Sequence, residues 1–533
     1  MTEQLEILDT TLRDGAQSES ISYSVTDKLE IIHALDRVGV TVIEAGTPGA
    51  MPKDMELFDA LRSVPLQHAR LAAFGPTRHK NCTAATDPML AALVACGAPI
   101  ASVFGKASRA HAERVLAVSP AENLAMIDDT IRFLTGRGLE VYFDAEHYFD
   151  AFAEDRDYAL ATVATAYQAG AKRVILCDSN GGTLPDQVAQ VVRETLEAFP
   201  ELSDGIGIHC HNDTGLAVAC SMSAVQAGAR QVQGTFLGFG ERCGNTCLST
   251  LIPNLQLKMG YAVVPESALR RFTEAARLIA DVSNLRVNRE LPYVGSSAFA
   301  HKAGMHVDAM LKYGGAYEHI DPAKVGNTRQ LPVSELAGRQ TLAAKFPRYF
   351  PNGDKDDPAL QTVLATLKAR EADGYEYEAA EGSLELIIRK QLGLSHDFFE
   401  LIDCKLIDQQ PVRTGASASA VVKIRVNGRE ELAAAEGDGP VHAIDSALRG
   451  ALHRFYPTLS RSRLTDYKVR VLTPENATAA KVRVLIRSTD GSSEWSTIGV
   501  SADVIEASYA AMRDAIQLKL LKDLENGKLR QNV

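Results

Sequence analysis

The chain is 533 residues long, 46% hydrophobic and 23% charged, with a formal net charge of −11. That length exceeds one ordinary core, so two to four domains are expected, ordered nearly throughout. The acidic balance leaves no excess of Lys and Arg to displace counterions from phosphates, which argues against nucleic-acid or anionic-membrane partners. A small anionic substrate remains compatible if positive charge is focused in a cleft.

The opening Met-Thr-Glu-Gln has no basic or apolar leader pattern, and no run approaches a membrane-spanning length, so a cytoplasmic protein is expected. Strands are then predicted at 6–10, 40–46, 69–75, 100–105, 140–146, 173–179, 206–213 and 231–238, each a short β-branched run. Each is followed by a helix-like stretch, such as 25–39 with Thr26 as its cap, or 216–229. Eight βα units in one run predict a TIM (β/α)8 barrel over residues 1–264. A doubly wound sheet fits less well, because no Gly-rich dinucleotide fingerprint follows the first strand. Residues 265–384 read as a helical linker region. From 385 to 525 a duplication is legible, with 421–452 resembling 481–516, each half reading strand, turn, strand, helix, which predicts one small symmetric α+β domain for binding or assembly.

The eight cysteines are scattered and several lie inside apolar runs, the pattern of reduced, core-filling thiols. Cys243 and Cys247 have a spacing that suggests zinc, but no second Cys or His pair follows nearby, so a structural site is not expected there.

HCHND, 209–213, ends the seventh predicted strand. Side chains alternate along a strand, so His209 and His211 face one side and Cys210 the other. Two imidazoles so placed suit a divalent metal. Asp14, just past the first strand and close to the seventh and eighth in a closed barrel, offers the carboxylate. Arg13 beside it either stabilises an oxyanion or forms a salt bridge to Glu44. The Gly-rich loop 238–246 lets backbone N–H groups approach a ligand ahead of a helix starting near Asn245, or is only a tight strand-to-helix connection.

LDTTLRDG (8–15), HCHNDTGLA (209–217) and GFGERCGNT (238–246) together resemble the DRE-type TIM metallolyase superfamily, and within it the 2-isopropylmalate, homocitrate and citramalate synthases. FDAEHYFD, CDSNGG, HKAGMHVDAM and AYEHIDPAKVGN are closest to the citramalate synthase branch, and the C-terminal duplication resembles the amino-acid-sensing domain of these enzymes. The resemblance implies a Claisen condensation of acetyl-CoA with a 2-oxo acid, followed by thioester hydrolysis. Asp14, His209 and His211, with Asn245 nearby, would hold a divalent ion (Zn, Mn or Mg), and Arg13 would steady the alkoxide. Glu146 and His306, with Asp308 and Tyr317, would handle protons, and Ser179 would contact the substrate carboxylate. Gly238, Gly240, Glu241, Arg242, Gly244 and Asn245 would form part of the acetyl-CoA site. Phe74 and Phe104 should close the pocket around the methyl group of pyruvate. A homodimer with isoleucine as effector follows from the same likeness. The alternatives are a sister synthase using a longer 2-oxo acid, a retro-Claisen lyase or aldolase, and a catalytically silent amino-acid sensor.

Overall fold

The computed structural model describes residues 3–529 except 20, 302–303, 331–341, 344, 351–356, 410–416 and 473–479; within helix Gly304–Lys312 the side chains of 304, 307, 308 and 311 are also outside the description. It divides into two compact units, one of residues 1–300 and 319–330, the other of 301–318 and 331–533.

In the first unit the strands β1 (Glu6–Asp9), β2 (Val42–Gly46), β3 (Arg70–Pro76), β4 (Ile100–Lys106), β5 (Glu140–Glu146), β6 (Arg173–Asp178), β7 (Ile206–Cys210) and β8 (Gln231–Gly234) pair in parallel, each with the next. Pairing of β1 with β8, Glu6 opposite Gln231 and Asp9 opposite Gly234, closes the barrel. The strands are short and almost wholly buried because both faces are covered, the lumen side by one another and the outer side by helices. Leu8, Val42, Ala72, Ile100, Tyr142, Ile175 and Cys177 fill a layer of the lumen, so the barrel is a packed core with no pore through it.

Helix Val25–Arg37 begins at Ser24, whose hydroxyl accepts from the Asp27 N–H while the Asp27 carboxylate accepts from the Ser24 N–H. The cap is therefore Ser24, two residues before the expected Thr26; the reciprocal pair satisfies two free donors, whereas a lone Thr26 cap satisfies one. The expected linker of 265–384 does not stand apart. Helix Phe272–Val282 joins the barrel core through Phe272, Ala276 and Ile279, so apolar side chains carry the first unit past residue 264. The described residues between 342 and 391 instead pack with the second unit, through Leu360, Val363, Leu384 and Ile388.

Among its described residues the second unit carries two three-stranded antiparallel sheets. β9 (Glu400–Asp408), β10 (Ala418–Val426) and β11 (Arg429–Gly437) pack on helix Pro440–His453. β12 (Arg463–Val471), β13 (Val482–Thr489) and β14 (Glu494–Ser501) pack on helix Val504–Glu525. One apolar cluster, including Ile424, Leu448, Ile486 and Ile516, runs through both halves. Each half therefore has three strands where two were expected. The additional ones, β9 and β12, are edge strands with charged residues interspersed among the apolar ones, and both lie ahead of the two segments that resemble each other. None of the described helices is long and apolar enough to cross a membrane.

Candidate active site and metal centre

The carboxyl ends of the barrel strands surround a cavity of about 400 Å³ lined by Arg13, Phe74, Glu146, Ser179, His211 and Arg242 among others. Such ends are where barrel enzymes place their chemistry, because loops there can vary without disturbing the core. At its floor one ligand atom each from Asp14, His209 and His211 lies within 4.8 Å of the others, the group of this kind found among the described residues. His209 Nε2 is 3.3 Å from Asp14 Oδ2. Strand β7 ends at Cys210, short of the expected 213, because His211 leaves the parallel ladder to bridge Asn245 in the following loop.

Electrostatics suit a cation at this point. Burial alone would raise Asp14, but Arg13 and His209 hold its carboxyl far below the usual range, so it is ionised. Burial, reinforced by the neighbouring His209, lowers His211 to about 4 and leaves its imidazole neutral with a lone pair to give. For His209 burial also opposes the charge, yet the bond to Asp14 outweighs it and the imidazole is raised. Asn245 is buried beside them, its Nδ2 donating to Asp14 Oδ2 at 2.9 Å and lying 3.3 Å from His209 Nε2. Its Oδ1 and the Nδ1 of His211 are buried without hydrogen-bond partners among the described residues.

Arg13 forms the salt bridge to Glu44 that was one of the readings open to it, and its guanidinium also lines the cavity. Its Nε donates to Glu44 Oε2 at 2.5 Å, and the guanidinium lies 3.8 Å over the Phe74 ring while lining the cavity. Phe74 in turn stacks on Phe104, with centroids 5.3 Å apart and planes at 15°. Glu146, at the end of β5, faces the cavity in an ion pair with Lys106 of β4, the two residues standing opposite each other in the ladder. His147 takes up a left-handed backbone, φ 60°, which turns its N–H to Ser179 Oγ at 2.9 Å. With its oxygen accepting that bond, Ser179 keeps its own O–H as a donor toward the cavity.

The loop after β8 is shaped by its own atoms. A Cβ on Gly234 would meet Thr246 O at 2.4 Å, and one on Gly240 would meet Asn245 Oδ1 at 2.0 Å, so glycine at both positions lets Asn245 reach the cluster. The following helix starts at Leu248, later than the expected 245, because Asn245 and Thr246 are drawn into bonds with β7 residues and with Asp14. Gly238 and Gly244 adopt positive φ, 78° and 85°, as a tight connection requires. Glu241 and Arg242 line the cavity, Arg242 held by Asp213 at 2.8 Å and by the Ser179 carbonyl at 2.8 Å. Cys243 is exposed, and Cys247 bonds to Ser249 and Thr250.

Residues 4–279 match the family described as HMGL-like, 293–373 the homocitrate synthase post-HMGL domain-like family, and 378–520 the LeuA allosteric (dimerisation) domain. The chain is 45% identical to an (R)-citramalate synthase of Aquifex aeolicus over 99% of its own length and 100% of that protein. It is 46% identical to an (R)-citramalate synthase of Synechocystis, over 97% and 96%. The chain belongs to the citramalate synthase family. Identity falls to 30% against a 2-isopropylmalate synthase of Listeria innocua, over 96% of each chain.

The family likeness and the barrel geometry meet at Arg13, Asp14, Glu146, Ser179, His209, His211 and Asn245, which the first unit brings to one cavity or its floor. His306 and Tyr317 are described with the second unit, their ring centroids 4.1 Å apart; the Asp308 side chain lies outside the described residues. Sequence reasoning missed Lys106, Asp144, His147 and Gln233, and saw Glu44 only as an alternative partner for Arg13. A signal existed for three of these. Glu44, Asp144 and Gln233 are polar residues at buried positions of apolar strands, where packing alone would select Val, Ile or Leu.

Proposed function

We propose that the chain condenses acetyl-CoA with pyruvate and, with the addition of water, releases citramalate and CoA. The observation that carries this reading is the Asp14, His209 and His211 donor set at the floor of the barrel cavity, in a chain alignable from end to end with (R)-citramalate synthases. The donors fit a divalent ion: a depressed carboxylate, a neutral buried imidazole, and the unpartnered Asn245 Oδ1 beside them. Two imidazoles in three ligands favour zinc over magnesium or manganese, which prefer oxygen donors. Bound there, the ion supplies Lewis-acid polarisation of the ketone.

The chain's own residues do the rest. Ser179 donates its O–H to the oxo-acid carboxylate. The Phe74 and Phe104 rings wall the cavity, leaving room for a methyl group and rejecting longer side chains by about 1–3 kcal/mol per methylene. Glu146 removes a proton from the acetyl methyl group, with Lys106 holding the carboxylate toward the cavity. Arg13, aimed by Glu44 and Phe74, donates to the oxygen that gains charge as the carbon–carbon bond forms. The family resemblance adds proton handling by His306, with Asp308 and Tyr317 in support, and contacts from Gly238, Gly240, Glu241, Arg242 and Gly244 to acetyl-CoA.

The match of 378–520 to an allosteric dimerisation domain supports a homodimer sensitive to a small amino acid, and isoleucine fits the product class. CoA release measured side by side with pyruvate, 2-oxobutyrate, 2-oxoisovalerate and 2-oxoglutarate tests the activity. Pyruvate is expected to react fastest, and the rate to fall on adding isoleucine. A preference for 2-oxoisovalerate or 2-oxoglutarate overturns the substrate assignment.

A further inference from the structure

The lumen of a barrel is normally filled by branched apolar side chains, yet β8 places Gln233 there, fully buried. An amide taken out of water costs stability unless both of its ends are bonded. Both are. Gln233 Oε1 lies 2.9 Å from His209 Nδ1, its neighbour across the β7–β8 ladder, and Gln233 Nε2 donates to Asp144 Oδ1 at 3.0 Å, reaching across the lumen to β5. Asp144 and His209 are themselves buried, each 5% exposed.

The chemistry of this chain of three has a direction. The Asp144 oxygen accepts, so the end of Gln233 that faces it is the N–H2 end, and the end that faces His209 is the carbonyl oxygen. A carbonyl oxygen can only accept. His209 must therefore carry a proton on Nδ1, which makes Nε2, 3.3 Å from Asp14 Oδ2, the nitrogen whose lone pair serves a cation once that cation displaces the proton shared with Asp14. Two lone-pair donors at that separation suit a shared cation.

We infer that Gln233, anchored by Asp144, is a positioning residue that selects the metal-binding tautomer of His209 and fixes the plane of its ring. The inference rests on the reading of His209 as a metal ligand. Partners of this kind, standing behind a ligating imidazole, set both its orientation and its basicity. Here the carboxylate acts through an intervening amide, so its charge stays one side chain away from the metal site.

The test is Zn2+ affinity, measured on EDTA-stripped full-length chain by competition with a chromogenic chelator, beside the thermal midpoint of the metal-free chain. Gln233→Met, close in size and lacking both bonding ends, is expected to weaken Zn2+ binding about 10–100-fold while the metal-free chain stays folded. Gln233→Glu alone sets a second carboxylate against Asp144 and is also expected to weaken it. Adding Asp144→Asn to Gln233→Glu exchanges amide and carboxylate, restores every donor and acceptor in the chain, and should recover most of the loss. A merely structural role would not give that recovery. If Gln233→Met fails to fold, the comparison of Gln233→Glu with and without Asp144→Asn decides, and equal affinities overturn the inference. Wild-type Zn2+ affinity in Gln233→Met overturns it too, with the metal reading intact, whereas absence of Zn2+ binding by the wild-type chain removes the metal reading itself and the inference with it.

Discussion

Glu44→Ala tests why an arginine stands at the barrel floor. The Arg13–Glu44 pair is separated by 2.5 Å, with side-chain exposures of 12% and 0%. At an effective dielectric near 20 its Coulomb attraction is about 6–7 kcal/mol, most of it offset by the cost of removing both charges from water. Truncating Glu44 removes the attraction and leaves that cost, so the expected loss is about 3–5 kcal/mol. For a unit of this size that corresponds to a fall of roughly 5–15 °C in the barrel's calorimetric midpoint. Glu44→Gln keeps an acceptor for Arg13 Nε and should lose clearly less. Freed from Glu44, the guanidinium is only 3.6 Å from Asp14 and competes with a metal for that carboxylate, so CoA release should drop by more than instability explains. The measurements are scanning calorimetry on the EDTA-stripped chain and turnover at saturating Zn2+ well below the midpoint. A shift smaller than about 1 kcal/mol together with wild-type turnover would refute the reasoning, reducing the pair to a solvated loop contact.

His211→Ala is expected to lose metal retention and turnover together, since two remaining protein donors hold an ion poorly; full activity with bound metal would return His211 to a structural role. Glu146→Gln should fold and bind Zn2+ normally but lose CoA release by a factor on the order of 10²–10⁴, the range for removing a general base. Asp9→Asn tests a buried carboxyl outside the proposed mechanism: burial pushes Asp9 up to about 7, and its Oδ2 has no partner. Between the unfolded value near 4 and about 7 the folded chain binds the extra proton, so this group's contribution is favourable at low pH and is lost as pH rises through 7. Asp9→Asn, which stays neutral and keeps the bond from the Thr11 N–H, should therefore raise the midpoint at pH 8 and leave it nearly unchanged at pH 4, by up to about 4 kcal/mol at the upper end. An equal effect at both pH values would show that the charge on Asp9 is not the cause.

The eight barrel strands are legible because each is a short, β-branched run buried on both faces, and their ends agree with expectation to within a few residues. β7 and β8 stop early because His211 and Thr235 are recruited into bridges with Asn245 and Cys247. The missed strands β9 and β12 show another case: each lies ahead of the segment that repeats, so the likeness of 421–452 to 481–516 does not include it. Chain ranges assigned to domains depend on which helix faces find apolar partners. Helix Phe272–Val282 reads as linker in one dimension and as barrel wall in three.

Local sequence by itself marked the candidate metal donors. A His-x-His at a strand end and an Arg-Asp after another specify the donor types, and the two-residue pleat carries His209 and His211 to one side, while barrel closure brings Asp14 to them. What only the tertiary structure decided is the support of those donors. Asp144, Gln233 and His209 are separated by 89 and 24 positions and become neighbours because closure of the barrel sets β5 across the lumen from β8. Glu44 reaches Arg13 through the pairing of β1 with β2. Pleat and turn chemistry act over a few residues and leave their mark in a short stretch of sequence, whereas contacts across a closed lumen depend on the tilt and register of all eight strands at once, which no single stretch records.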